Sequence, residues 1–241
     1  MKEARPAFYA LRPGPLRDLI TLLHLPYTVL HLSFVVLGTA LAPVVRTDRL
    51  VGTLAAFYLA VGIAAHFLDE VNGRPLRTRI SSGFLLTVAV LALVAACAIG
   101  VVGLLWVSPL LLVFVAAGAF IVLAYNLEIA GGRFHGARTF ALFWGAFPFV
   151  TAFWVMDESF TWPALPGAAA CLALARLQRI LSTEARMLRR RIAKVEGEAT
   201  LHDGGKLAIT RDTLLAPPER ALRVLCTAVP LLALAALLAR R

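Results

Sequence analysis

Charged residues are scarce in this sequence: they account for 16% of its 241 residues, whereas hydrophobic residues account for 60%. Soluble globular domains are about half apolar, so this composition excludes an ordinary soluble protein and indicates a membrane protein. Cysteine is scarce as well. The three cysteines lie singly in apolar segments without the spacing of a metal site, and we expect Cys97, Cys171 and Cys226 to be small core residues.

Acidic residues are also few. Fourteen Asp and Glu residues stand against 24 Lys and Arg residues, which gives a formal net charge of +10. In a soluble protein this charge would indicate a nucleic-acid partner, but in a membrane protein the positive-inside rule explains it, so we expect no nucleic acid. We expect no cleavable signal peptide either, because residues 1–18 are polar and proline-rich like a cytoplasmic tail.

Long apolar runs dominate the rest of the chain. About 20 apolar residues are needed to cross a bilayer, and seven runs approach or reach that length. A lipid-exposed open sheet is not viable, so the runs predict an all-α fold, a polytopic membrane helical bundle of about seven transmembrane helices. The predicted spans are residues 25–42, 50–68, 84–105, 108–127, 139–156, 162–180 and 221–239.

Lys and Arg are concentrated in alternate loops, on the side that holds the N-terminus. This bias predicts an integral protein of the cell membrane with the N-terminus in the cytoplasm and the C-terminus outside. The predicted divisions are a cytoplasmic tail (1–24), a six-helix bundle (25–186), a basic cytoplasmic segment (187–220) and a last helix (221–241). Gly204-Gly205 and Pro217-Pro218 punctuate the basic segment.

Ionisable residues cluster where the second span ends. His66, Asp69 and Glu70 have the spacing i, i+3, i+4, which places them on one helical face as candidate metal or proton ligands. The alternative is a helix-end cap at the water boundary. The turn signal Asn72-Gly73 and then Arg74 follow, and carboxylates beside arginines suit a divalent cation that bridges to a diphosphate. Contact with lipid headgroups would explain the arginines equally well.

The end of the fourth span and the following loop hold a second polar group. Tyr125 and Glu128 share a helical face, and Glu128 is a candidate second carboxylate opposite Asp69. In the glycine-rich loop that follows, His135 is more typical of a solvated residue than of a ligand.

A third polar group extends the sixth span. Arg179, Thr183, Arg186 and Arg190 recur at helical spacing and predict one polar stripe. Arg179, Glu184 and Arg186 are the candidates for a site, whereas residues 189–191 are expected to form a basic helix at the membrane surface.

One histidine lies inside the membrane region of the first span. An intramembrane histidine is rare. His31 could join His66 at a metal, but a hydrogen bond to a neighbouring helix is the preferred interpretation.

With these groups in this order, residues 22–191 resemble the UbiA superfamily of intramembrane prenyltransferases. The segment His66-Phe67-Leu68-Asp69 stands where the family has D-x-x-D, and Arg74-Pro75 and Ser82-Gly83 follow as in the family. The family also has counterparts of Tyr125, Arg133 and the run from Gly145 to Pro148. The departures are His66 in place of the first aspartate of the motif, Gly73 in place of the last, and Ser182-Thr183-Glu184-Ala185-Arg186 where the family has a second Asp-rich motif.

The resemblance implies a UbiA-like bundle and a prenyltransferase or related isoprenoid-diphosphate enzyme that acts at the cytoplasmic face, on a prenyl diphosphate or other isoprenoid lipid, among membrane lipids. The implied residues are catalytic Asp69, Glu70, Tyr125 and Asn126, substrate-binding Asn72, Arg74, Arg133, Arg179 and Arg186, and Mg²⁺ ligands from His66, Asp69, Glu70, Glu128 and Glu184. Two alternatives remain. The mixed His, Asp and Glu set suits iron, manganese or zinc in a membrane metalloenzyme, and the missing second motif favours a non-catalytic lipid-binding relative.

Overall fold

The computed structural model describes residues 6–11 and 17–240, and it is a bundle of apolar helices. Six of the helices are long and apolar enough to cross a membrane, and the seventh, α4, has 16 residues. At 1.5 Å per residue α4 is about 24 Å long, shorter than a hydrocarbon core of about 30 Å. The expectation of a polytopic helical membrane protein is confirmed. The helices are α1 Arg17–Leu41, α2 Thr47–Val71, α3 Ser82–Trp106, α4 Leu111–Asn126, α5 Ala137–Asp157, α6 Ala164–Arg190 and α7 Arg211–Leu238.

Three helices are irregular near one end of the bundle. In α1 the chain breaks between Arg17–Leu22 and Leu25–Leu41, where His24 has a φ of 45°. Wide π-helical turns interrupt α2 at Tyr58–Ala65 and α5 at Ala141–Ala146. Such turns occur frequently at functional sites because they redirect the side chains that follow.

Helices α1 and α5 form the centre of the bundle. Of the six helices that are long enough to cross a membrane, α5 is the most buried, with 67% of its most apolar 18-residue stretch inside the protein. It packs against α1 and α6, while α7 covers α1 and α6 from outside, and α2, α3 and α4 pack together on the other side. The contact between α1 and α5 requires Gly38, since a Cβ atom there would lie 2.2 Å from the carbonyl oxygen of Phe149. Small residues permit this kind of close approach in membrane proteins.

The segment between α6 and α7 differs from the sequence-based expectation. Within the described residues it holds the one pair of strands, an antiparallel hairpin of β1 (Glu196–Thr200) and β2 (Lys206–Thr210). Helix α7 then begins at Arg211 rather than at residue 221, because Thr210 and Thr213 form a capping box there. Pro217 and Pro218 lie inside α7 and do not end it.

The two ends of the bundle are built differently. We call one the cavity end: it is formed by the C-terminal ends of α2, α4 and α6 and the N-terminal ends of the other helices. At the opposite end arginines cap helices. Arg240 donates hydrogen bonds to the carbonyl oxygens of Ala42 and Pro43, at 3.0 and 2.8 Å, and Arg49 donates one to that of Val155 at 2.7 Å. Terminal carbonyls that lack a helical partner are satisfied in this way.

Candidate functional site

A cavity of about 500 Å³ opens at the cavity end. Its walls come from five helices (α1, α2, α4, α5 and α6), from the loop that precedes α5, and from Ala7 and Tyr9 of the N-terminal segment 6–11. Pro75 of the loop between α2 and α3 and Arg191, just after α6, also line it. Arginine, histidine and aromatic side chains predominate in the lining. The cavity therefore combines positive charge with an aromatic surface at one end of a membrane bundle.

Helix α6 supplies the positive charge. Arg179, Arg186 and Arg190 all line the cavity, as does Thr183 between them, because their helical spacing places them on the same face. Arg186 donates a hydrogen bond to Thr183 at 3.2 Å, and the Nε of Arg190 donates one to the carbonyl oxygen of Pro6 at 3.2 Å. The placement of Arg190 differs from the sequence interpretation, which assigned it to the membrane surface.

An aromatic wall faces these arginines. Arg179 donates a hydrogen bond to the phenol oxygen of Tyr125, and its guanidinium lies 5.1 Å from the centre of the Phe140 ring. The rings of Phe140 and Trp144 stack with their centres 5.4 Å apart, and Tyr125 packs against Trp144 at 4.5 Å. The ring faces can stabilise a cation by their quadrupoles.

Asp69 is the acidic member of the site. It is half-buried, interacts electrostatically with Arg186, Arg190 and His135, and is the one carboxylate among the described residues that line the cavity. With four arginines (Arg179, Arg186, Arg190 and Arg191) against one carboxylate, the lining carries an excess of positive charge. The site therefore suits an anion.

Glu70 is placed differently although it adjoins Asp69 in sequence. Its carboxylate is fully buried and accepts hydrogen bonds from the backbone N–H groups of Leu76 and Thr78, at 2.9 and 2.8 Å, and from the Thr78 hydroxyl at 2.8 Å. These bonds fold the loop between α2 and α3 back onto the helix end. Glu70 thus holds a loop and does not line the cavity, whereas the sequence predicted a catalytic or metal-binding role.

Several other predicted residues also lie outside the cavity. Arg74 donates hydrogen bonds to the Ile80 carbonyl oxygen at 2.5 Å and to the Ser82 hydroxyl at 2.6 Å, and Asn72 donates one to the Asn126 carbonyl oxygen at 3.2 Å. These bonds shape the loop and tie it to α4. Asn126 itself lines the cavity. The remaining candidates, which are exposed on the surface, are Glu128, Arg133 and Glu184.

Three histidines in the lining share one arrangement. The Nδ1 atoms of His31, His66 and His135 lie 2.8, 3.1 and 3.0 Å from the carbonyl oxygens of Trp144, Gly62 and Tyr125. A carbonyl oxygen only accepts, so each Nδ1 carries a proton and donates it. The bond from His31 to α5 is the interhelical hydrogen bond that its position predicted.

His24 and Tyr9 complete the histidine side of the cavity. The rings of His24 and His66 stack at 4.2 Å, and the Tyr9 hydroxyl lies 3.1 Å from the Nδ1 of His24. Loss of water around the phenol raises the pKa of Tyr9 above its usual value, so the hydroxyl keeps its proton. Across residues 6–11 and 17–240 no three His, Cys, Asp or Glu side chains converge as a metal-binding group.

Gln178 is a cavity residue that the sequence interpretation missed. It is 3% exposed, and its Oε1 atom has no hydrogen-bond partner among the described residues. Buried polar groups are normally paired, so this oxygen is available to a donor on a ligand. A glutamine one position before Arg179 in an apolar helix was the signal that could have identified it.

No protein-family model, curated protein or solved structure matches the chain.

Proposed function

We propose that the cavity binds the diphosphate of an isoprenoid lipid and that the protein is a UbiA-like prenyltransferase or a related isoprenoid-diphosphate enzyme. One observation carries the proposal: Arg179, Arg186 and Arg190 face Asp69 and an aromatic wall inside a single cavity at the end of a membrane bundle. A diphosphate needs several positive charges, and its prenyl chain needs apolar surroundings. The motif order along residues 22–191 supports the same proposal.

The proposed reaction assigns each group a task. The arginines bind the diphosphate and stabilise the charge that develops on it as the C–O bond breaks and the electron pair passes to the leaving oxygen. Tyr125, Phe140 and Trp144 present their ring faces to the allylic cation that remains. A nucleophilic acceptor then bonds to that carbon and loses its proton to a base. The Oε1 atom of Gln178 orients an acceptor that carries an O–H or N–H group.

The donor set fits Mg²⁺ in part. Mg²⁺ is usually held by one or two carboxylates together with substrate phosphate oxygens and water. Asp69 would supply the carboxylate, and the other ligands would come from the diphosphate and water, since Glu70 is engaged by its loop. Bound there with the substrate, Mg²⁺ would supply further charge neutralisation of the leaving group.

We also propose that the protein resides in the cell membrane and that its cavity end faces the cytoplasm. The arginine-rich loops and the basic residues of α6 lie at this end. Positively charged residues accumulate on the cytoplasmic side. A water-soluble acceptor or a diphosphate produced in the cytoplasm would then reach the cavity directly.

The test is a binding titration of purified protein in lipid nanodiscs. The probes are inorganic diphosphate and farnesyl thiolodiphosphate, an analogue that resists ionisation, each with and without Mg²⁺. We expect saturable binding of both, tighter for the farnesyl compound. Arg186→Gln and Arg190→Gln should each weaken binding about tenfold or more, because a charge-assisted hydrogen bond contributes about 1.5–3 kcal/mol.

Arg176→Gln is the matched control, because Arg176 is exposed on the same helix and does not line the cavity. Equal binding by wild type, control and cavity variants would refute the proposal. Binding without consumption of farnesyl diphosphate would support the non-catalytic relative. Stoichiometric iron, manganese or zinc in the purified protein, lost in His66→Ala, would support the metalloenzyme.

A further inference from the structure

The hairpin between α6 and α7 is amphipathic. In its register Gly197 lies opposite Ile209 and Ala199 opposite Leu207, so these residues share one face, and Leu201 continues the same alternation. The side chains of Leu201 and Leu207 are exposed to 47% and 54%. One face of the hairpin is therefore apolar and has no complete cover from the described chain.

The opposite face is polar and electrically balanced. Glu198 forms an ion pair with Lys206 at 2.8 Å, and Glu196 forms one with Lys194 at 2.5 Å, just before β1. Thr200 and Thr210 lie on this face too. Ala208, opposite Glu198, is the one apolar residue of the two strands on this face.

The hairpin is attached at the level where two candidate membrane helices end. Residues 191–195 alone separate α6 from β1, and the last residue of β2, Thr210, is itself the N-cap of α7. Strands of five residues reach about 17 Å. The apolar face therefore lies beside the ends of α6 and α7, at the cavity end of the bundle.

We propose that the hairpin is an interfacial anchor whose apolar face lies in the headgroup layer of the bilayer, with Leu201 and Leu207 inserted. A two-stranded hairpin with no further cover is marginally stable in water, so an apolar phase within reach stabilises it. The basic residues Arg191, Lys194 and Arg211 flank its base, and basic residues at a membrane surface attract anionic lipid headgroups. The occupant of the face is thus an anionic lipid surface.

The test compares two adjacent positions on opposite faces. The native cysteines are replaced by alanine, and an environment-sensitive fluorophore is attached at Leu207→Cys or, as the matched control, at Ala208→Cys. Nanodiscs that hold one protein copy contain anionic and doxyl-labelled phospholipids. We expect the probe at 207 to shift its emission to the blue and to be quenched by the doxyl lipid, and the probe at 208 to behave as in water.

Lower quenching at 207 in nanodiscs of zwitterionic lipid is expected as well, because the flanking arginines then lack anionic partners. Equal signals at 207 and 208 would overturn the proposal. A blue shift at position 207 that develops only when each disc holds two copies would also overturn the proposal. A second copy of the protein would then cover the apolar face. The melting temperature of each labelled protein confirms that the bundle is folded, and a Leu207→Ser variant read by hydrogen exchange of residues 196–210 gives an independent readout.

Discussion

The guanidinium of Arg179 on α6 donates a hydrogen bond to the phenol oxygen of Tyr125 on α4. This bond links two helices that line the cavity. The same guanidinium lies over the ring of Phe140 on α5. A positive charge is thereby held in a fixed place before any ligand arrives. Such preorganisation lowers the entropic cost of binding.

Replacing Tyr125 with phenylalanine should therefore weaken the binding of farnesyl thiolodiphosphate without unfolding the protein. The hydroxyl contributes about 1 kcal/mol through one hydrogen bond, which corresponds to roughly fivefold in affinity. A titration beside a thermal melt measures both quantities. Tighter binding by Tyr125→Phe would show instead that the phenol competes with the ligand for Arg179.

Glu70→Gln should lower the stability of the protein. An amide presents an N–H group where the carboxylate now accepts from Leu76 and Thr78, so at least one buried donor loses its partner, at a cost of about 1–3 kcal/mol. Glu184→Gln is the control, since Glu184 is exposed on α6. If Glu70→Gln kept its melting temperature but lost Mg²⁺-dependent binding, the metal role predicted from the sequence would stand.

His31→Leu should weaken the association of α1 with α5. The histidine is 4% exposed and donates its Nδ1 proton to the Trp144 carbonyl oxygen. Interhelical hydrogen bonds in membrane proteins contribute about 0.6 kcal/mol on average and at most about 1.7 kcal/mol. Unfolding in mild denaturant should show a loss in that range. Ser33→Ala should cost less, because Ser33 bonds within its own helix, to the Val29 carbonyl oxygen.

Gly145→Ala should destabilise the contact between α5 and α6. A Cβ atom at that position would lie 2.6 Å from the Cys171 carbonyl oxygen and 2.7 Å from the Ala175 side chain, so the helices would have to separate. Overpacking of this kind costs about 1–3 kcal/mol. Gly52→Ala is the matched substitution in open space and should stabilise α2 slightly. Equal melting temperatures for the two variants would contradict the close contact.

The membrane helices could be predicted from the length of the apolar runs in the sequence. The polar face of α6 could be predicted from the helical spacing of its residues. Arg179, Thr183 and Arg186 recur at intervals of three or four, so their presence in one cavity follows from local geometry. Their role in diphosphate binding stays a prediction. The cavity residues His66 and Asp69 share a face for the same reason.

The position of Glu70 depends on a loop that no helical periodicity describes. Its partners, Leu76 and Thr78, follow six and eight residues later, and a backbone that turns back to donate to a carboxylate leaves no periodic signal. The start of α7 was missed for a related reason. Pro217 and Pro218 indicated a loop, but a capping box at Thr210 and packing against α6 sustain a helix through them.

The position of α7 has a consequence for biosynthesis. Helix α7 packs against α1, and Glu219 near its start accepts a hydrogen bond from Arg189 of α6 at 2.8 Å. Ribosomes deliver α1 before α7. Until α7 has entered the membrane, the outer face of α1 meets lipid and Arg189 lacks this carboxylate. A nascent chain arrested before residue 211 would therefore present both features to the quality-control machinery of the membrane, and the arrival of α7 removes them.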